Sequence, residues 1–381
     1  MANSVTKKCE QVLQLLSRSR NVLISGAPGT GKSKLLAEVA LAFEEGFGIA
    51  GKKGAPQLSP RNGIPIPPSS GGAHKDIPSP ERANRKVFRT VFHQNSKYRD
   101  FVAGIVPAVN KKDGEPDFTI VAGTLYRASE HANAEDGASL LIIDEINRGP
   151  AVQVFGDTIV AIESDKRLAP DGSRAAQTQF FELLDPASGD SMEYALPHHL
   201  YILAAMNQAD ASVEPLDVAF LRRWEPLRLE PEEQILREFY GISSSHASSL
   251  PQTPESPSDV FEASVRAWKA VNEQIALGRG DEFQIGHGIL ISEIDPADMQ
   301  LNDALNFVCV GWSKIRAHVA EVFFGDARGV AATLNALDGP SYNPFKLIET
   351  TFAEDLRVKL QSPANFTEEN IYPSLRAFAR E

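Results

Sequence analysis

Cysteine is scarce: Cys9 and Cys309 are the only two in 381 residues, and they lie far apart in the sequence. That excludes a disulfide framework and a cysteine-based zinc site, and the pair reads as two ordinary buried thiols in a reducing compartment. Long apolar runs are missing as well. No stretch reaches the roughly 18 residues a membrane helix needs, and the N-terminus carries no apolar export segment, so the reading is a cytoplasmic chain without a membrane span. Positive charge is in deficit, with 38 Lys and Arg against 50 Asp and Glu and a formal net charge of -12. This balance argues against a broad nucleic-acid face, because affinity for phosphate backbones comes largely from clustered Lys and Arg. The eight histidines show no metal-ligand spacing. His198 and His199 read as a strand entry, whereas His287, in FQIGHGI, has no such simple reading. No internal repeat is visible. What remains is a globular composition, 42% hydrophobic and 23% charged, in a chain long enough for about two to three domains.

Along the chain, residues 4–18 carry apolar positions at helical spacing, and NVLISG from Asn21 reads as a buried strand. Four further strand-like runs follow: KVFRTVFHQ (86–94), SLLIID (139–144), LYILAAM (200–206) and EPLRLE (225–230). Helical stretches such as 151–167 separate them. Apolar strands alternating with helices imply an α/β fold with a mostly parallel sheet covered on both faces. From about residue 231 helical periodicity takes over, at 231–240, 258–277, 296–323 and 345–360. The expected organisation is therefore an α/β domain over 1–230 and a smaller all-helical domain over 231–381. Gly, Pro and Ser crowd residues 46–85, which reads as a flexible insertion, with a substrate-engaging loop as the sharper alternative. A second Ser/Pro stretch, 241–259, reads as a linker.

GAPGTGKS, from Gly26 through Ala27, Pro28, Gly29, Thr30, Gly31 and Lys32 to Ser33, fits the phosphate-binding loop pattern and sits between a strand and the amphipathic helix KSKLLAEVALAF. Its glycines let backbone amides converge on phosphates, Lys32 reaches the β and γ phosphates, Ser33 binds Mg²⁺, and Lys34 belongs to the same nucleotide-binding set. The helix dipole is aimed at the anion. In LLIIDEINR, four apolar residues bring Asp144 and Glu145 to the carboxyl end of a strand, where open α/β sheets bind ligands. Asp144 is expected to hold Mg²⁺ and Glu145 to activate the attacking water as general base. The strand LYILAAM delivers Asn207 and Asp210 to the same edge, where a neutral amide orients water without repelling the anion. Arg222 and Arg223, in VEPLDVAFLRRW, are candidates for an arginine finger acting on a neighbour's nucleotide. Asn110, Lys111 and Asp113 spell a guanine-reading tetrapeptide, but they precede Asp144 in a polar loop, the wrong context for that motif.

With these residues in hand the chain resembles the AAA+ class and, within it, the McrB family of motor subunits from modification-dependent restriction systems. Four segments carry the likeness: GAPGTGKS; FHQNSKYRDFVAGIVP (92–107); IIDEINR with the following VFGD (142–157); and MNQAD leading into FLRRW (206–224). IGH at 285–287 adds a weaker match. The resemblance implies a five-stranded sheet with a helical lid, nucleotide held between neighbouring subunits, a hexameric ring, ATP or GTP as substrate with Mg²⁺, and a separate nuclease or effector subunit. DNA is then expected to be met through partners. Gln208 and Ala211 stand where the family usually has Thr and Arg, and Gly288 where it has Ser after the GH pair. The DNA-reading domain that usually precedes the motor has no counterpart before Asn21. A MoxR-like chaperone ATPase that remodels a protein partner is the competing reading, and a nucleotide-dependent scaffold without turnover is a third.

Overall fold

The computed structural model describes residues 6–46, 77–108, 118–209, 216–243 and 249–381. Most of the 46–85 insertion, the guanine-type tetrapeptide, Asp210, Ala211 and the middle of the 241–259 linker lie outside the described residues. The chain divides into two compact units, one formed by Met1–Ser25 with Lys32–Arg228 and the other by Gly26–Gly31 with Leu229–Glu381.

The α/β unit is built on strands β1 (Asn21–Gly26), β2 (Asn84–Val91), β5 (Gly137–Asp144), β8 (Leu200–Met206) and β9 (Glu225–Leu229) in the order β2-β5-β8-β1-β9. Between them the chain makes two antiparallel hairpins, β3 (Ala103–Pro107) with β4 (Phe118–Ala122) and β6 (Phe181–Leu184) with β7 (Ser191–Tyr194). The pairs β2–β5, β5–β8 and β8–β1 are parallel. Central strands are buried on both faces, which is why β1, β5 and β8 are near-continuous apolar runs, whereas the edge strand β2 alternates between exposed and half-buried positions. Register then fixes what meets at the carboxyl edge. Ile143 pairs with Ala204 and Ser25 with Met206, so Asp144, Glu145 and Asn207 all emerge there.

Helix α1 (Lys7–Ser19) starts where the Thr6 hydroxyl accepts from the Cys9 amide, and it buries Cys9, Val12, Leu13 and Leu16 at helical spacing. Burial, with Glu38 and Glu10 nearby, pushes the Cys9 thiol up to about 12. Cys309 is half-buried rather than buried, and its thiol stands at about 11 for the same reason, with Glu368 adding to it. Neither is an activated nucleophile. Helix α2 (Lys32–Glu45) follows β1 through the glycine-rich loop. Three of the motif segments share one core. Phe92, Phe101, Phe155 and Phe220 form a chain of ring contacts at centroid distances of 5.3, 4.8 and 5.2 Å, and Trp224 caps it. The helical stretch predicted over 151–167 is instead two short helices, Ala151–Phe155 and Thr158–Ala161, followed by a 3-10 turn, interrupted at Gly156.

The second unit packs helices Glu233–Tyr240, Pro257–Gly278, Leu301–Val322, Ala327–Thr333 and Glu368–Phe378 around Trp268, Trp312, Phe345, Tyr372 and Phe378. It is not all-helical. Residues 345–360, read from sequence as a helix, form most of an antiparallel hairpin, β10 (Lys346–Phe352) and β11 (Asp355–Gln361). The two-residue connection, Ala353 and Glu354, has φ of 48° and 69°, a left-handed turn built without the Asn-Gly or Asp-Gly that announces one. Among the described residues no helix is long and apolar enough to cross a membrane.

Candidate functional site

The glycine-rich loop takes its shape from backbone chemistry. Gly29 and Gly31 have φ of 79° and 87°, where a side chain is strained, while Thr30 turns inward and its hydroxyl donates to the Ala27 carbonyl at 2.9 Å. Lys32 and Ser33 then open α2, whose first turn holds no acidic residue. No carboxylate of that first turn therefore competes for the partial positive charge and amide donors of the helix start. Ser33 and Lys34 are exposed.

Asp144 closes β5 half-buried, and one of its carboxylate oxygens accepts from the Glu145 amide at 3.0 Å. Glu145 sits at φ 52° and ψ 45°, a left-handed conformation that non-glycine residues seldom adopt. This turns its carboxylate onto Asn207, whose Nδ2 donates to Glu145 Oε1 at 2.8 Å. Asn147, which sequence reasoning passed over, is buried in the same cluster and donates from Nδ2 to the Asn207 carbonyl at 2.7 Å. The only signal for it was its place in the quoted IIDEINR segment. Arg148 Nε stands 3.2 Å from Glu145 Oε2, at ion-pair distance but off the line of a hydrogen bond, and its side chain is 47% exposed, so the pairing is weak.

Three buried acceptors, Glu145 Oε2, Asn147 Oδ1 and Asn207 Oδ1, have no hydrogen-bond donor among the described residues. Buried oxygens left in this state cost free energy unless water or another donor fills the gap. The Asp144 carboxylate and the Ser33 hydroxyl are oxygen donors of the kind that suits Mg²⁺, which keeps several waters and takes one or two carboxylates rather than a closed protein cage. No cluster of three or more His, Cys, Asp or Glu suited to a metal occurs among the described residues.

The arginines lie elsewhere. Asn21 Nδ2 donates to the Arg223 carbonyl at 3.2 Å, so β9 begins beside the start of β1, and Arg222 and Arg223 sit at the amino edge of the sheet. A strand's length separates that edge from Asp144, Glu145 and Asn207, about 16 Å at the usual rise per residue. Arg223 is largely buried, with Nε 2.9 Å from Glu163 Oε1 and a guanidinium hydrogen bond to the Ala219 carbonyl. Arg222 is exposed. The structure thus joins Glu145 to Asn207, keeps Asp144 beside them and sets both arginines apart. Asp210 is outside the described residues.

Residues 80–224 match the model of the AAA domain, dynein-related subfamily. The chain is 24% identical over 341 residues to the type IV methyl-directed restriction enzyme EcoKMcrB subunit of Escherichia coli strain K12, covering 87% of this chain and 60% of that protein. It is 30% identical over 225 residues to the type II restriction enzyme BsuMI component YdiS of Bacillus subtilis strain 168, covering 58% of this chain and 60% of that protein. The chain thus spans about 60% of the length of each of these curated relatives. Among solved structures, NtrX from Brucella abortus matches at 12% identity and a TM-score of 0.32, covering 87% of this chain and 64% of that one, too loose a likeness to carry an argument.

Proposed function

We propose that this chain, an AAA+ protein resembling the McrB subunit, is a Mg²⁺-dependent nucleoside triphosphatase that serves as the motor of a restriction-like defence complex. The observation that carries the reading is the Asn207-to-Glu145 hydrogen bond at the carboxyl edge of the sheet, beside buried acceptor oxygens that call for water. A carboxylate and an amide fixed against each other can hold a water by its two protons, between a charged proton acceptor and a neutral amide oxygen, leaving its lone pair for the γ-phosphate.

In this mechanism the amides of Gly26–Gly31 and the start of α2 cradle the phosphates, and Lys32 neutralises the β and γ oxygens. Ser33 and Asp144 would hold Mg²⁺, which when bound supplies charge neutralisation on the phosphate oxygens. Glu145 Oε2 takes the proton of the attacking water. Asn207 keeps Glu145 aimed and offers Oδ1 to the same water, and Asn147 fixes Asn207 from behind. Arg222, exposed at the opposite edge, serves a neighbouring subunit's nucleotide, while Arg223 is anchored to Glu163.

A ring of such subunits, hexameric in this reading, working with a separate nuclease or effector subunit and meeting DNA through it, follows from the resemblance together with the acidic charge balance. The MoxR-like chaperone reading uses the same site and has no observation of its own in its favour. Turnover of ATP and of GTP by the purified chain, alone and with co-expressed partner subunits, tests the proposal. The wild type is expected to hydrolyse one of the two with Mg²⁺, and Lys32→Ala to lose binding. Failure of the wild type to bind either nucleotide would end it.

A further inference from the structure

Gly26–Gly31 do not group with the α/β unit that the loop connects; they belong to the compact unit formed with Leu229–Glu381. The cause is a short stretch, Ile285–Gly288, laid along the loop. The Gly286 amide donates to the Pro28 carbonyl at 2.9 Å and the Gly288 amide to the Gly29 carbonyl at 2.8 Å. The approach is so close that a Cβ on Gly286 would overlap the Gly29 carbonyl carbon, and one on Gly288 would stand 2.8 Å from the Gly29 oxygen. His287 between them is 5% exposed. Its Nδ1 accepts from the Glu232 amide at 3.2 Å, which places the ring proton on Nε2, and Nε2 lies 3.9 Å from where a Cβ on Gly31 would be.

We propose that Gly286–Gly288 form a backbone clamp that sets the shape of the phosphate loop, with Gly286, His287 and Gly288 as positioning residues for a nucleoside polyphosphate. The inference rests on the nucleotide-binding reading of the loop. Its logic lies in which groups the clamp uses. A glycine-rich loop has little side-chain packing to hold it, and at Gly29 and Gly31 it adopts angles that many other backbone states compete with. The clamp braces it with two hydrogen bonds that engage loop carbonyls and consume none of its amide donors. Those amides are the groups an anion needs, so bracing and phosphate binding draw on opposite faces of the same peptides. The clamp residues are glycines for steric reasons, since any side chain at 286 must push the two backbones apart and break both hydrogen bonds. Loop order, and hence phosphate affinity, then depends on residues more than 250 positions downstream.

The test compares wild type, Gly286→Ala, Gly288→Ala and Gly325→Ala. Gly325 also has a positive φ, 78°, but has open space where its Cβ would be, so its variant carries the backbone strain of an alanine without touching the loop. Affinity is read with fluorescent N-methylanthraniloyl ATP and GTP, and fold integrity by thermal melting without nucleotide. Gly286→Ala is expected to weaken binding at least tenfold, Gly288→Ala by less, and Gly325→Ala not at all, with nucleotide-free melting temperatures within a few degrees of one another. A folded Gly286→Ala that binds like wild type overturns the clamp, and if that variant fails to fold, wild-type affinity in Gly288→Ala overturns it instead. Absence of binding by the wild type would sink the nucleotide reading itself, a separate outcome.

Discussion

In the proposed mechanism the chemistry turns on Glu145, whose left-handed backbone costs on the order of 1 kcal/mol that the surrounding sheet must offset. Strain of this kind persists where geometry matters, and here it aims one carboxylate oxygen at Asn207 and leaves the other without a donor among the described residues. Glu145→Gln keeps shape and length but removes the base, so nucleotide affinity should stay near wild type while turnover falls about 10²- to 10⁴-fold. Comparable turnover in the two proteins would remove Glu145 from the mechanism. Asn207→Ala should cut turnover by a similar order, since Glu145 Oε1 loses its donor. A second residue-scale effect concerns pH. His198 lies at the amino edge of the sheet with Nε2 2.6 Å from an Arg20 nitrogen, and burial, reinforced by Arg20, His199, Arg167 and Arg82, depresses its imidazole to about 4. A histidine held neutral in the fold but titrating near 6.5 when unfolded leaves stability intact above pH 6.5 and erodes it as pH falls from 6.5 toward 4. Because His198 is only half-buried the loss should be on the order of 1 kcal/mol rather than the full shift. Melting temperatures at pH 7.5 and 5.0 should therefore converge in His198→Gln relative to wild type, and an unchanged pH slope would contradict this.

At the scale of elements, the misread hairpin β10–β11 shows what short-range signals convey. Leu356, Val358 and Leu360 alternate with polar residues, a two-residue period that was present in the sequence. The missing cue was the turn, because Ala353 and Glu354 hold positive φ without the residues that favour it. Replacing the pair by Asn-Gly should relieve that strain and stabilise the hairpin by about 0.5–1 kcal/mol, read as a rise in melting temperature of the whole chain. A lower melting temperature would mean that the Ala353 and Glu354 side chains make contacts worth more than the strain. The hairpin β6–β7, also not read from the sequence, did carry a turn cue: FELL and SMEY flank DPASGD, in which the Asp185 side chain accepts from the Ala187 amide and the Ser188 hydroxyl.

At the scale of the whole molecule, the separation of Arg222 from Glu145 by a strand's length makes an isolated subunit chemically incomplete in the proposed mechanism. In that mechanism each subunit supplies a base to its own nucleotide and an arginine to a neighbour's. An Arg222→Ala chain mixed with a Glu145→Gln chain should therefore recover activity that neither has alone, because some interfaces pair an intact base with an intact arginine, and each lost finger costs about 10³- to 10⁵-fold. No recovery in mixtures shown by sedimentation to assemble would place the arginine's action within one chain. What the sequence determined by itself is the set of features written in contiguous residues: the apolar runs of β1, β5 and β8, the glycine-rich loop between β1 and α2, and Asp144 with Glu145 at a strand end. Each follows from burial on two faces or from the local stereochemistry of glycine. Tertiary structure alone decided that Asn147 backs Asn207, that Arg223 is held by Glu163 while Arg222 stays exposed, and that Gly286–Gly288 grip the loop. These are contacts between residues 60 to more than 250 positions apart. No local preference encodes them, because they exist only once strand register and chain reversal have brought segments distant in sequence side by side.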